Sequence, residues 1–384
     1  MKQVKKVSKN KYLNILIFMY LLTLIDLITN KFNYKDIEKY IKFNLEGNLY
    51  YSPIQFYKRK NPKISIIIST FNSELYLKPA VRSVQNQNFL NIEIIIVDDG
   101  SMDNTINVVK ELMEEDRRIV FLANIINRGT LFTKTRGVLN AKGQYVMALD
   151  HDNLYANKDA FSILYKNAKK YNLDLLGFSL IGTGVEIKNR DKSNFLNYFE
   201  TKVIQKPDIK KRFLGFDSKI ASHTLLCLYF IKTELFLYSI KQLGDEFINR
   251  NIDEHDDTIL MFILSRNAQT LKHLKEIFYI LLIWPEKYSE ALKFQRRIKL
   301  KERKRKSCYS YLTFTEILLK FTDNSDKLIA ENHFLSWFIR QEKCKNHTDI
   351  MNDTLRICSL YLNNEYISSN AKKEISLYLN QTKR

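Results

Sequence analysis

From Lys63 onward the chain alternates short apolar runs with segments of helical period. Ile64–Ser69 (ISIIIS) is a β-branched run, the pattern of a strand buried on both faces. Leu77, Ala80, Val81 and Val84 follow at helical spacing, with Pro79 tolerable in a first turn. Glu93–Val97 predicts a second buried strand, and Ile106, Val109 and Leu112 the helix after it. Ile119–Leu122 predicts a third strand, Thr130–Ala141 a helix, and Gln144–Leu149 a fourth strand ending at Asp150-His151-Asp152. Strand and helix recur about every 25–30 residues, the signature of βαβ units and a parallel sheet. Ligands of such sheets bind at the carboxyl ends of the strands. The polar clusters Ser69–Asn72, Asp98–Ser101 and Asp150–Asn153 all fall there.

The second half is less regular. It predicts a strand near Leu173–Ser179, an irregular polar stretch to about Gly215, an apolar Ser222–Phe230 segment, and an amphipathic to buried helix over Asp257–Ala268. Residues 286–384 read as mostly helical.

The N-terminus changes the picture. Five lysines between Lys2 and Lys11 precede an apolar run from Tyr12 to Thr29, interrupted by Asn14 and Asp26. A positive flank before a span keeps that end cytosolic. The expectation is an uncleaved signal anchor, with the body of the chain in the ER or Golgi lumen. A cleaved signal and a soluble cytoplasmic form are the alternatives that the short run and Asp26 leave open. The division expected is a basic tail (1–11), an anchor helix (12–29), a stem (30–61), two halves of a globular domain (62–165 and 166–285) and a basic helical region (286–384).

The chain has 384 residues and carries 61 Lys+Arg against 42 Asp+Glu, a net +19 that raises an acidic partner. Eight of the eleven residues in Arg296–Lys306 are cationic, so much of the excess is local. That run reads as a solvated helix face, or one lying on an anionic membrane or near an anionic ligand. It lacks the interleaved aromatics of single-strand binders, and no nucleic-acid partner is expected. The four cysteines, Cys227, Cys308, Cys344 and Cys358, show no metal-type spacing.

Three acidic clusters carry candidate chemistry. Asp150 and Asp152, two residues apart at a strand end, suit a hard cation such as Mg²⁺ or Mn²⁺, or are solvated turn residues. Asp98-Asp99-Gly100-Ser101 is a ligand-reading strand end, a helix-capping turn, or both. Glu254-His255-Asp256-Asp257-Thr258 opens the late apolar helix, as a base site or a plain N-cap cluster.

In order and spacing, KISIIISTFNSELYL, SVQNQNFLNIEIIIVDDGSMDNT and NRGTLFTKTRGVLNAKGQYVMALDHDN resemble the nucleotide-sugar domain of family 2 glycosyltransferases, over about Lys63–Phe161. The resemblance implies a Rossmann-like, three-layer α/β/α glycosyltransferase A-type fold. It also implies a nucleotide-diphosphate sugar donor (a UDP-sugar foremost), an Mn²⁺ or Mg²⁺ cofactor and a hydroxyl acceptor on a glycan, lipid or protein. Ser69, Phe71, Asp98 and Asp99 then resemble donor-binding positions. Phe71 stands where a Tyr is usual and can stack without donating. Lys134 and Thr135 take the place of an Arg-Asn pair, which puts a point charge near the diphosphate. Asp150 and Asp152 resemble the metal pair, with Asp150 also touching the donor. Asn153 replaces a frequent acid. Asp257, with Asp256 beside it, resembles the acceptor base of an inverting displacement. The helix N-terminus there would lower a carboxyl pKa. A catalytically inactive binder of the same fold is the alternative reading.

Overall fold

The computed structural model describes residues 34–58, 60–184, 195–196, 202–214, 224–283, 293–323, 348–370, 372–373 and 376. The anchor reading of residues 12–29 lies outside them. Among the described residues no helix is long and apolar enough to cross a membrane.

Among the described residues ten strands form one sheet: β1 (Ile64–Thr70), β2 (Ile92–Asp98), β3 (Ile119–Ala123), β4 (Tyr145–Asp150), β5 (Leu154–Tyr155), β6 (Leu175–Gly184), β7 (Phe195–Leu196), β8 (Ile204–Gln205), β9 (Tyr229–Lys232) and β10 (Thr270–Ile283). The main order is β3-β2-β1-β4-β9-β6-β10-β5. The first four strands are parallel, and every residue of β1 and β2 is buried, as their isoleucine-rich runs predict. Their helices are Leu77–Gln85, Thr105–Glu115 and Thr130–Leu139.

The sheet is not parallel throughout. Strand β9 runs antiparallel to both β4 and β6, and β6 then pairs in parallel with β10. The apolar segment before β9 is first a 3₁₀ turn, Leu226–Leu228, and only Tyr229–Lys232 is strand. Strand β10 escapes the periodicity argument because Lys272, His273, Lys275 and Glu276 interrupt its apolar run. Its register against β6 shifts twice, between His273 and Ile277 and between Ile277 and Tyr279.

Register fixes the site. Ser69 lies opposite Asp150, and Thr70 opposite Asp98, so the polar clusters share one edge of the sheet. The helix Asp256–Asn267 starts at that same edge, and its residues Ile259–Ser265 are buried.

Within the 30–61 segment, the helix Tyr34–Leu45 buries Ile37, Tyr40 and Ile41. Tyr40 donates to the Ser83 carbonyl at 3.2 Å, and Asn86 donates to Asn44 at 2.8 Å. Phe56 is buried beneath the Arg118 guanidinium, 4.2 Å from the ring centre. In the C-terminal region, Lys293–Phe321 and Thr348–Asn363 are helices that pack on each other.

Candidate active site

The turn after β2 is built on two aspartates with different tasks. Asp98 is fully buried and accepts from the Ser101 amide at 2.9 Å and the Ser101 hydroxyl at 2.5 Å. Its carboxylate closes the turn and holds the strand end in shape beside Asp99. Asp99 accepts from the Arg128 and Gly129 amides at 2.8 and 2.9 Å and from the Asn124 side chain at 2.7 Å. It thereby ties the β3 exit loop to the β2 end. Gly129 is required there. Its φ is +86°, and a Cβ would lie 2.6 Å from the Ile252 nitrogen.

The end of β4 gathers the next group. Asp150 is about one-third exposed and accepts from the Tyr279 hydroxyl at 2.9 Å. Tyr279 comes from the middle of β10, and its fully buried phenol is pushed well above its ordinary pKa by burial and by Asp150, so it stays a donor. Asn153 is buried and bonds both ways, donating to Asp150 at 3.4 Å and accepting from the Leu282 amide at 2.9 Å. His151 places Nδ1 3.2 Å from the Ser69 carbonyl. Burial pushes the Asp152 carboxyl up; neighbouring Asp150 adds to this while His151 opposes it.

Lys134 joins this strand end to the late helix. It is 7% exposed, and its Nζ lies 2.6 Å from Asp257 Oδ1, 2.8 Å from Asp256 Oδ2 and 3.9 Å from Asp150 Oδ1. Burial opposes its charge, but Asp256, Asp257 and Asp150 together hold its pKa well above the usual lysine value. The expected lone charge beside a diphosphate is thus an ammonium already engaged by carboxylates on two elements. The second oxygen of Asp257 accepts from the Leu226 amide at 3.2 Å. Burial pushes the Asp257 carboxyl up to about 7, with Asp256 and Asp150 adding and Lys134 opposing. The lowering expected from the helix N-terminus is outweighed. His255, at φ +61°, caps this helix and sets its ring edge-on to Tyr311, 5.4 Å away.

The structure therefore brings Ser69, Lys134, Asp150, Asp256 and Asp257 to one place, with Asp152 two residues on from Asp150. Asp98 and Asp99 stand behind them in the turn, and Phe71, 38% exposed, lies on the outer rim. Sequence reasoning missed Tyr279. The only signal was one hydroxyl inside an otherwise apolar FYILLI run.

Among the described residues no cluster of three or more His, Cys, Asp or Glu is set to hold a metal. Asp150 and Asp152 supply carboxylates only. That donor set fits Mg²⁺ or Mn²⁺, which fill remaining positions with water and substrate phosphates. A divalent cation would also relieve the mutual repulsion that helps raise Asp152.

Comparison with known proteins bears on the family and the fold. Residues 65–226 match the family model described as glycosyl transferase family 2. A Campylobacter jejuni GalNAc(5)-diNAcBac-PP-undecaprenol beta-1,3-glucosyltransferase is 38% identical over 121 residues, 31% of this chain and 39% of that protein. An uncharacterized glycosyltransferase of Haemophilus influenzae is 36% identical over 96 residues, 25% of this chain and 38% of that protein. The chain thus spans under two-fifths of the length of these curated relatives. The crystal structure of S. aureus TarS 1–349 in complex with UDP-GlcNAc superposes with a TM-score of 0.57 at 14% identity, covering 80% of this chain and 82% of that one. At that identity the likeness is one of fold. Motif order, family match and fold converge: the chain carries a glycosyl transferase family 2 domain.

Proposed function

We propose that this protein moves a glycosyl group from a nucleoside-diphosphate sugar, a UDP-sugar foremost, to a hydroxyl of a glycan, lipid or protein, with inversion at the anomeric carbon. The observation that carries the reading is the Asp257 carboxyl. It is held at the start of a helix by Lys134 and the Leu226 amide beside the β4 strand end, and burial pushes its pKa up to about 7. A base poised near the working pH combines a free carboxylate with a useful driving force for proton transfer. The acceptor oxygen attacks the anomeric carbon, its proton passes to Asp257, and the bond to the diphosphate oxygen breaks. The electron pair leaves with the nucleoside diphosphate.

Asp152 and Asp150 would hold Mn²⁺ or Mg²⁺, which supplies neutralisation of the departing diphosphate. Tyr279 and Asn153 orient the Asp150 carboxylate. Lys134 keeps Asp256 and Asp257 in place and leaves the cluster of three carboxylates and one ammonium net negative. The bound nucleotide supplies orientation. Relatives named as glycosyltransferases and a structural neighbour solved with UDP-GlcNAc support the donor class.

The test is Asp257→Asn. Donor affinity by calorimetry should stay within severalfold of the parent, while transfer falls by about a hundredfold or more. Unchanged transfer would remove Asp257 as the base.

A further inference from the structure

The loops at the carboxyl edge of the sheet expose apolar side chains that the transfer chemistry does not use. Ile125 is fully exposed, Met102 is 87% exposed, Ile126 65% and Leu75 54%. Scattered exposed apolar residues are ordinary, but these come from three touching loops after β1, β2 and β3. The Asn72 amide donates to Ser101 at 2.8 Å, and the Met102 amide donates back to Asn72 at 2.9 Å. Glu74 and Asp103 accept from amides of each other's loops, which ties the two loops together. At Gly100 a Cβ would lie 2.9 Å from the Ile126 carbonyl carbon, so the third loop packs on the second. The tips are thus presented on a braced rim.

A second observation falls on the same edge. The helix Lys293–Phe321 runs antiparallel to Asp256–Asn267: Asp323, just past its end, reaches Arg266, Phe314 meets Phe262, and Tyr311 meets His255. One turn further, Lys306 donates to Asp253 at 2.5 Å. The stretch Asn249–Asp253 lies against the β3 exit loop, through Asn251 to Asn127 and Ile252 to Leu131. From Lys306 back to Lys293 the helix continues for about 20 Å past the active-site edge. Eight of the eleven residues in Arg296–Lys306 are Lys or Arg.

We propose that this edge, with the Met102 and Ile125–Ile126 tips and the overhanging basic helix, docks on an anionic lipid bilayer. Apolar tips on rigid loops enter the interface, and a polybasic helix is attracted to acidic headgroups within a Debye length. The active site then faces the membrane plane. The inference does not depend on the transfer chemistry, because its readout is binding.

The test uses the full chain, every variant keeping residues 1–29, with phosphatidylcholine vesicles containing or lacking phosphatidylglycerol. Replacing Arg296, Arg297, Lys299 and Lys301 by Gln should lower partition onto the anionic vesicles by about a hundredfold and flatten its salt dependence. Ile125→Ser with Ile126→Ser should lower it about tenfold. In Ile125→Trp, brominated lipid should quench the added fluorescence. In Leu139→Trp, at the opposite end of the Thr130–Leu139 helix, it should not. Equal quenching at both positions, partition unchanged in both variant sets, or equal binding to both vesicle types would overturn the proposal.

Discussion

A lysine shared by three carboxylates governs what each of them can do. Lys134 sits within 4 Å of Asp256, Asp257 and Asp150, and little of it reaches solvent. Lys134→Met would leave buried carboxylates without their cation, at a cost of about 3 kcal/mol in stability, seen as a lowered urea midpoint. It would also raise the Asp257 carboxyl further. With the parent group titrating at about 7, kcat/KM should climb with pH up to that region and then level, since only the carboxylate accepts a proton. In Lys134→Met the rising limb should move to higher pH; a limb that stays in place would separate it from Asp257. Tyr279→Phe removes a donor to Asp150 and should raise the Mn²⁺ concentration for half-maximal activity severalfold with little change in fold. None of these partnerships was legible in the sequence. Lys134 and Asp257 are 123 residues apart, and Tyr279 and Asp150 129. The carboxylate pairs themselves were legible, because strand ends are marked by an abrupt change from apolar to acidic.

At the scale of elements, legibility followed burial. Strands β1, β2 and β4 are apolar on both faces, and each begins and ends within two residues of its expected bounds. Strand β10 is mostly buried but twice shifted in register, and the polar residues in its first half hid it. The antiparallel insertion of β9 carries no local mark, since pairing direction is decided between strands and not within one. The C-terminal helices dock through Glu316. Burial would raise its carboxyl, but hydrogen bonds from Arg356 and Arg250 pull it down to about 2. Both arginines lie 2.8 Å from it. A carboxyl lowered from 4.5 stabilises the fold above that value and loses the contribution as pH falls toward about 2. Acid titration should therefore release the Lys293–Phe321 and Thr348–Asn363 pair in that window, read by limited proteolysis. Glu316→Gln should weaken the docking at neutral pH and flatten its acid dependence.

For the whole molecule, a net charge of +19 coexists with a local excess of carboxylates around Lys134. Part of the excess is the eight Lys and Arg of Arg296–Lys306, on the helix that we propose meets an anionic surface. The fold brings the ends of β1 and β4 together with the start of a helix more than a hundred positions later, where we place the base. The most direct measurement incubates the protein with Mn²⁺ and a panel of UDP- and GDP-sugars and follows release of the nucleoside diphosphate. Release is expected from one nucleotide class, abolished by chelation and by Asp152→Ala in a variant that remains folded. Release by Asp152→Ala at the parent rate without metal, or no release and no binding across the panel, would contradict the proposed transfer.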